Sequence, residues 1–240
     1  MQFYQSKLLK KFPEITHAFT TKETGNLAFH VNDDPAHVLK NHQRLSRELN
    51  YKLEILVHMK QIHSNEVKII TDNDTFDNPP TCDALITDKK NTLLMVMTAD
   101  CSPILFYDPV QKVIAVAHAG RAGAFTNIIK NVIRKFTNDF NSQTKEIVVA
   151  IGPAICGHCY EVDDTIYQEA KKRNLAYALT QESNKYYLNI RDILHKQLLE
   201  ENILEKNIEI SDICSRCDSH FYSYREEKNC GRFAGIIKLD

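Results

Sequence analysis

The spacing of apolar residues changes several times along the chain and predicts alternating helices and strands. Apolar residues within 38–49 recur every three or four positions, which is the pattern of an amphipathic helix. Asp34 is a suitable N-cap for that helix, and Pro35 is tolerated in a first turn. Helices are also predicted over residues 125–136, 163–174 and 190–202.

Between residues 53 and 116 the apolar residues come instead in short runs, rich in β-branched side chains and separated by turn residues. Runs of this length and composition are typical of strands, so the stretch predicts a β-sheet. Helices and strands together indicate a mixed α/β (α+β) fold, whose strand order is not readable. The predicted strands cover residues 55–59, 67–70, 84–87, 93–98, 104–107, 113–117, 147–151, 221–224 and 233–239.

The composition is that of a globular protein. Of 240 residues, 43% are hydrophobic and 25% are charged, and 31 acidic residues nearly balance 30 basic ones. A chain of this length fits one domain, which we expect to cover residues 1–240. The near-neutral charge gives no reason to expect a nucleic acid partner, and the sequence does not predict an oligomeric state.

No sequence feature points to a membrane or to export. The first residues lack a sustained apolar segment, and no later apolar run approaches the roughly 20 residues of a membrane span. We therefore expect a cytoplasmic protein with no membrane partner. The seven cysteines are odd in number and scattered, which favours reduced thiols or metal ligands over a disulfide framework.

Three residues that could bind a metal follow or end predicted strands: His63, Cys101 and His118. Two imidazoles and a thiolate can hold zinc tetrahedrally and leave a fourth position for water or substrate. Their spacing is not itself a metal signature. The same residues could be buried structural groups, or Cys101 could be a nucleophile activated by His118 and oriented by Asp100.

Two Cys-x-x-Cys pairs, Cys156 with Cys159 and Cys214 with Cys217, raise the possibility of a structural zinc site. The pairs of a zinc ribbon are usually separated by about 15 to 20 residues, and these pairs lie much further apart in the sequence. The spacing therefore argues against a four-cysteine site.

Phosphate or ribose binding requires basic and polar groups near the metal. The candidates in turn-like sequence are Lys22, Arg121, Arg225 and Arg232, with Asn26 and Asp100 as polar groups that could position a substrate. An isolated arginine is more often a solvated surface residue, so only convergence of several on one cleft would support this role.

Many of these segments, taken in order, resemble the multicopper polyphenol oxidase or laccase-like family, also described as purine nucleoside phosphorylases with a laccase domain. The strongest blocks are Thr98-Ala99-Asp100-Cys101-Ser102-Pro103 and His118-Ala119-Gly120. The resemblance covers nearly the whole chain. The other matching blocks are residues 26–27, 30–34, 61–67, 83–88, 151–153, 159–162, 214–217, 221–225 and 231–232.

The resemblance implies a layered sandwich of mixed β-sheet flanked by helices (a YfiH-like fold) in a single domain. It also implies that His63, Cys101 and His118 are zinc ligands and catalytic residues. The activities credited to the family are zinc-dependent phosphorolysis of adenosine, inosine and methylthioadenosine, adenosine deamination, phenol oxidation on copper, and peptidoglycan-precursor editing. One fold therefore hosts several activities and does not decide among them.

Our main hypothesis is a zinc-dependent purine nucleoside phosphorylase, with a nucleoside and phosphate as partners and adenosine deamination as a second reaction. The family usually has a tryptophan and then a basic residue after His-Ala-Gly, where this chain has Arg121 and Ala122. The alternatives are a copper polyphenol oxidase, a Cys-His hydrolase and a binding protein with a vestigial site. The ten histidines form no His-x-His pairs of the multicopper type, so copper is expected only as a substitute for zinc.

Overall fold

Fourteen strands and five α-helices alternate along residues 1–240, all of which are described in a computed structural model. The strands are β1 (Phe3–Tyr4), β2 (Ile15–Thr20), β3 (Leu56–Val57), β4 (Val67–Ile69), β5 (Ala84–Thr87), β6 (Leu93–Thr98), β7 (Ser102–Asp108), β8 (Val113–Ala119), β9 (Val148–Ile151), β10 (Glu161–Val162), β11 (Leu179–Glu182), β12 (Lys185–Leu188), β13 (Ile208–Ile210) and β14 (Phe233–Leu239). The helices are α1 (Pro35–Glu48), α2 (Arg121–Phe125), α3 (Ile128–Asp139), α4 (Asp164–Lys172) and α5 (Ile190–Glu200).

The strands form three sheets. A five-stranded sheet has the order β1-β2-β14-β6-β3, a six-stranded sheet the order β13-β9-β7-β8-β5-β4, and a small antiparallel sheet the order β10-β12-β11. Both large sheets contain parallel as well as antiparallel neighbours. The mixed α/β class is therefore confirmed. The prediction of one sheet over residues 53–116 is wrong, because its strands are divided between the two large sheets. The five-stranded sheet contains β3 and β6, and the six-stranded sheet contains β4, β5, β7 and β8.

The two large sheets pack face to face, and helices cover their outer faces. Strand β7 is buried on both sides, as expected for a strand with a layer above and below it. Its Leu105 and Tyr107 belong to the core between the sheets, whereas Ile104 and Phe106 pack in the core under α2, α3, α4 and α5. A third core, which contains Leu45 of α1, covers the outer face of the five-stranded sheet. The implied layered sandwich is present.

The predicted helix over residues 125–136 is interrupted. Asn127 adopts a left-handed conformation with φ of 56°, which ends α2 and lets its side chain cap α3 by accepting the Lys130 N–H at 3.0 Å. The apolar pattern continues across the break because both helices use the same side of the sheet. The helix predicted at residues 38–49 is present as α1, and Asp34 caps it by accepting the Ala36 N–H.

The strand predicted at residues 221–224 is also wrong, because this segment forms a bend and the start of a turn and pairs with no strand. Its aromatic residue Phe221 is buried against Phe233 of β14, with ring centroids 5.1 Å apart, so packing alone explains the β-like composition. None of the helices combines the length and apolar character needed to cross a bilayer.

Candidate metal centre

The side chains of His63, Cys101 and His118 meet at one end of the two large sheets. His63 lies in the loop between β3 and β4, with a left-handed φ of 57°. Cys101 lies in residues 99–101, the short turn by which the chain leaves β6 in one sheet and enters β7 in the other. His118 is on β8, directly opposite Pro103 of β7. The potential ligand atoms of the three side chains all lie within 4.8 Å of one another.

The arrangement suits a metal that is open on one side. His118 is buried, Cys101 is partly buried and His63 is exposed, so solvent reaches the cluster from the His63 side. The two imidazole rings are nearly perpendicular, at 84°, with centroids 4.8 Å apart. Three protein ligands with an accessible fourth position are typical of catalytic rather than structural zinc sites.

A buried carboxylate, Asp83, holds two of these residues in place. It accepts the Nδ1–H of His118 at 2.9 Å, which leaves Nε2 of that ring free for a metal. It also accepts the backbone N–H groups of Ile62, His63 and Ser64 and the Ser64 hydroxyl. Burial opposes the charge of this carboxylate, but the hydrogen bonds from His118 and Ser64 more than offset it and lower the pKa of Asp83 to about 2.

The charge state of Cys101 also suits metal binding. Burial raises the pKa of its thiol, but the imidazoles of His118 and His63 oppose this effect and lower the pKa to about 6. Burial has the opposite effect on the pKa of His118, which it lowers because it disfavours the charged imidazolium. Cys101 and Asp83 oppose this effect and raise the pKa of His118. Because the thiolate is the metal-binding and nucleophilic form of cysteine, these surroundings favour either role for Cys101.

Gly120 leaves the space that the Cys101 sulfur occupies. A Cβ atom at this position would lie 2.7 Å from Cys101 Sγ and 3.5 Å from Cδ2 of His63. We expect Gly120→Ala to displace the thiolate and to lower the affinity of the site for added zinc at least about tenfold, since a displacement of this size disrupts the arrangement of the metal-binding side chains. Competition with a chromophoric zinc chelator measures the affinity. A zinc affinity of Gly120→Ala equal to that of the wild type would contradict the steric argument.

Two adjoining cavities open beside the cluster, and they meet at Ala99, Cys101 and Tyr224. The first, the His–Cys cavity, has a volume of about 400 Å³ and is lined by His30, Gln61, His63, Met97, Thr98, Ala99, Cys101, His118, Tyr224 and Arg232. The second, the basic cavity, has a volume of about 210 Å³, and its lining includes Arg121, Arg225 and Lys228. Together they form one cleft, with the metal-binding residues in the His–Cys cavity and three basic side chains in the basic cavity.

The predicted basic residues are distributed unevenly around this cleft. Arg121 and Arg225 line the basic cavity and Arg232 lines the His–Cys cavity, whereas Lys22 lines neither and lies 5.6 Å from the centre of the Tyr222 ring. Arg121 is paired with Glu169 at 3.3 Å.

Asn26 and Asp100, predicted to position a substrate, both make contacts within the protein. The Asn26 side chain accepts the backbone N–H of Arg232 at 2.9 Å and donates to Asp33. The two carboxylate oxygens of Asp100 accept the Ser215 hydroxyl at 2.7 Å and the backbone N–H of Arg225 at 2.6 Å. Both residues therefore hold the loops that carry the arginines of the cleft, and Asp100 also lines the basic cavity.

Several residues of the cleft were not predicted. Asp83 precedes a fully buried strand, and a charged residue in that position is a signal that could have been noticed. Lys228 and His30 have no local sequence pattern that distinguishes them. The sequence spacing argues against a four-cysteine site, but the sulfur atoms of Cys156, Cys159, Cys214 and Cys217 also lie within 4.8 Å of one another.

Residues 16–240 match the sequence profile of the family described as multi-copper polyphenol oxidoreductase laccase. The chain belongs to this family. A relative from Streptomyces coelicolor, named a purine nucleoside phosphorylase, is 35% identical over 90% of this chain and 88% of its own length. Another, from Clostridium acetobutylicum and of the same name, is 35% identical over 92% of this chain and 90% of its own length.

Two solved structures have the same fold as this chain. The hypothetical protein YfiH of Bacillus licheniformis superimposes with a TM-score of 0.92 at 28% identity, over 99% of each chain. YlmD of Geobacillus stearothermophilus superimposes with a TM-score of 0.91, also at 28% identity, over 99% of this chain and 98% of that one. The YfiH-like fold implied by the sequence blocks is thereby confirmed.

Proposed function

We propose that the chain is a zinc-dependent purine nucleoside phosphorylase that acts on adenosine, inosine and methylthioadenosine. The proposal rests on one observation: two cavities meet at Cys101. One of them is lined by an open set of metal ligands, and the other is lined by three basic side chains. The basic cavity can hold the dianionic nucleophile of phosphorolysis, and the His–Cys cavity beside it can hold the neutral nucleoside. Relatives of similar length at 35% identity are named purine nucleoside phosphorylases.

The residues of the His–Cys cavity fit zinc by the chemistry of their donors. His63, Cys101 and His118 would hold the ion with two imidazole nitrogens and one thiolate. When bound, zinc supplies a Lewis acid at the open position of the site. Asp83 keeps the Nδ1 proton on His118, so that Nε2 presents its lone pair to the cavity.

The basic cavity supplies the groups that phosphate needs. Arg121 and Arg225 offer planar N–H forks, and Lys228 offers a mobile ammonium. Tyr224 lines both cavities and provides a ring face on which a purine can stack. An oxygen of the phosphate held in the basic cavity forms a bond to the ribose C1 carbon as the bond from C1 to the purine nitrogen breaks. The purine leaves with the electron pair of that bond and takes up a proton.

The deciding experiment combines elemental analysis of the purified protein with assays of adenosine, inosine and methylthioadenosine, each with and without phosphate. We expect zinc to be bound and free base to appear only when phosphate is present. Inosine formed from adenosine would identify deamination as a second reaction of the same centre. Stoichiometric zinc without turnover of any nucleoside would overturn the proposal and favour a binding protein.

The role of the basic cavity predicts a selective defect. Lys228→Ala should raise the KM for phosphate about tenfold, because one charge-assisted contact is worth about 1.4 kcal/mol, and should leave the KM for inosine nearly unchanged. Lys22→Ala is the matched control, since Lys22 lines neither cavity, and we expect no effect on either KM. Equal effects of the two substitutions would show that the basic cavity does not bind phosphate.

A Cys-His hydrolase is the second candidate, favoured by the orientation of His118 by Asp83 and by the lowered pKa of Cys101. In that case Cys101 attacks the substrate directly, as an editing enzyme for peptidoglycan precursors would, and activity survives complete removal of metal.

A copper polyphenol oxidase has less support, since only one cluster in residues 1–240 contains imidazoles and the other contains four thiols. Oxidation of phenols by the copper-loaded protein tests it.

A further inference from the structure

A second group of potential metal ligands lies outside the cleft. Cys156 and Cys159 follow β9, and Cys214 and Cys217 follow β13. Because β9 and β13 are parallel neighbours, the segments that follow them leave the sheet at the same edge. An isolated bridge between Ala154 and Cys214 continues this pairing beyond the strands. The sheet topology thus brings together two pairs that are far apart in the sequence.

The geometry of the four sulfur atoms fits one tetrahedral metal. All four lie within 4.8 Å of one another, and the Cys159 and Cys217 sulfurs are 3.3 Å apart. Four thiolates around zinc at about 2.3 Å have their sulfurs about 3.8 Å apart, so only small rotations are needed to reach this arrangement. The backbone N–H of Cys156 donates to Cys214 Sγ at 3.3 Å, a contact that favours a thiolate.

A buried cation beside the cluster lacks an acidic partner. Arg191 is only 9% exposed, and its guanidinium donates to the backbone carbonyls of Ser211, Ala154 and Ile213 rather than to a carboxylate. All three carbonyls belong to the segments that lead from β9 and β13 into the cysteine pairs. Arg191 also lines a cavity together with Cys156. A buried charge is costly unless an opposite charge compensates it, and zinc with four thiolates carries two net negative charges.

The two cysteine pairs also border the substrate cleft. Ile155 and Tyr160, on either side of the first pair, line the basic cavity. Ser215, within the second pair, donates its hydroxyl to Asp100 at 2.7 Å. We infer that Cys156, Cys159, Cys214 and Cys217 bind a structural zinc ion that joins these two segments and holds the wall of the basic cavity. This site is separate from the His–Cys cavity and does not depend on the reaction catalysed there.

The test uses the full chain with Cys101→Ala, which removes the thiolate of the first centre and leaves the four cysteines intact. Purified under reducing conditions, this variant should retain one zinc per chain. Its X-ray absorption fine structure should contain only a sulfur shell at about 2.3 Å, without the nitrogen shell at about 2.0 to 2.1 Å of a histidine site. Adding Cys217→Ser, at the most exposed of the four, should abolish zinc retention and lower the Tm.

Cys101→Ala combined with Cys82→Ser is the matched control, because Cys82 is a buried thiol outside both clusters, and it should keep its zinc. Three results would overturn the inference. The first is a folded Cys101→Ala chain that contains no metal and has all its thiols free. The second is iron rather than zinc at the four sulfurs. The third is a disulfide between the two pairs in the protein as isolated from the cell.

Discussion

Replacing Cys101 by alanine is expected to remove the metal from the His–Cys cavity and to slow nucleoside phosphorolysis by at least about a hundredfold. The two imidazoles that remain lack the negative charge of the thiolate, and the Lewis acid they would have held contributes several kcal/mol to catalysis. The chain should stay folded, since Thr98 still donates its hydroxyl to the carbonyl of residue 101 at 2.6 Å. Elemental analysis, initial rates and circular dichroism measure the three effects.

Cys82→Ala is the control for this substitution, because Cys82 is buried in the core between the sheets and lines neither cavity. We expect it to retain wild-type metal content and rates, with only a small loss of stability. Full activity of Cys101→Ala without metal in the His–Cys cavity would rule out the zinc mechanism. A variant that keeps this metal and loses all turnover would instead identify Cys101 as the nucleophile of a hydrolase.

Strand bounds could be predicted from the sequence where they depend on local patterns. The strands β5, β6 and β14 begin and end at the predicted residues, because each is an apolar run bounded by turn or charged residues. Which strands share a sheet depends on distant pairings. The turn at residues 99–101 looks like a tight connection within one sheet, but it passes from one sheet to the other, and this crossing carries Cys101 into the cleft.

For the candidate site, too, local sequence patterns could be used for prediction and the pairing of distant strands could not. His63, Cys101 and His118 were identified from sequence blocks, whereas the role of Asp83 follows from the pairing of β5 with β8, in which Ala84 lies opposite Ala117. That register brings the carboxylate beside His118, and no spacing rule encodes it. The convergence of the cysteine pairs likewise results from the parallel pairing of β9 and β13.

Asp83→Asn is expected to lower the affinity of the His–Cys cavity for zinc by about 10- to 100-fold and to destabilise the fold by about 3 to 5 kcal/mol. The carboxylate accepts five hydrogen bonds, from the His118 ring, from the N–H groups of Ile62, His63 and Ser64, and from the Ser64 hydroxyl. An asparagine has one acceptor oxygen, so its NH₂ group would face some of these donors inside the protein. Chelator competition and urea unfolding measure the two effects.

Ser64→Ala separates the two roles of Asp83. It removes one of the five donors, the hydroxyl at 2.8 Å, and should cost about 1 kcal/mol while the His118 contact and the zinc affinity stay unchanged. If Asp83→Asn loses stability and still binds zinc as the wild type does, the carboxylate only holds the loop of His63. If zinc affinity falls in Asp83→Asn and not in Ser64→Ala, Asp83 sets the ring orientation and tautomer of His118. The buried charge of Asp83 is then retained because it prepares a ligand for the metal.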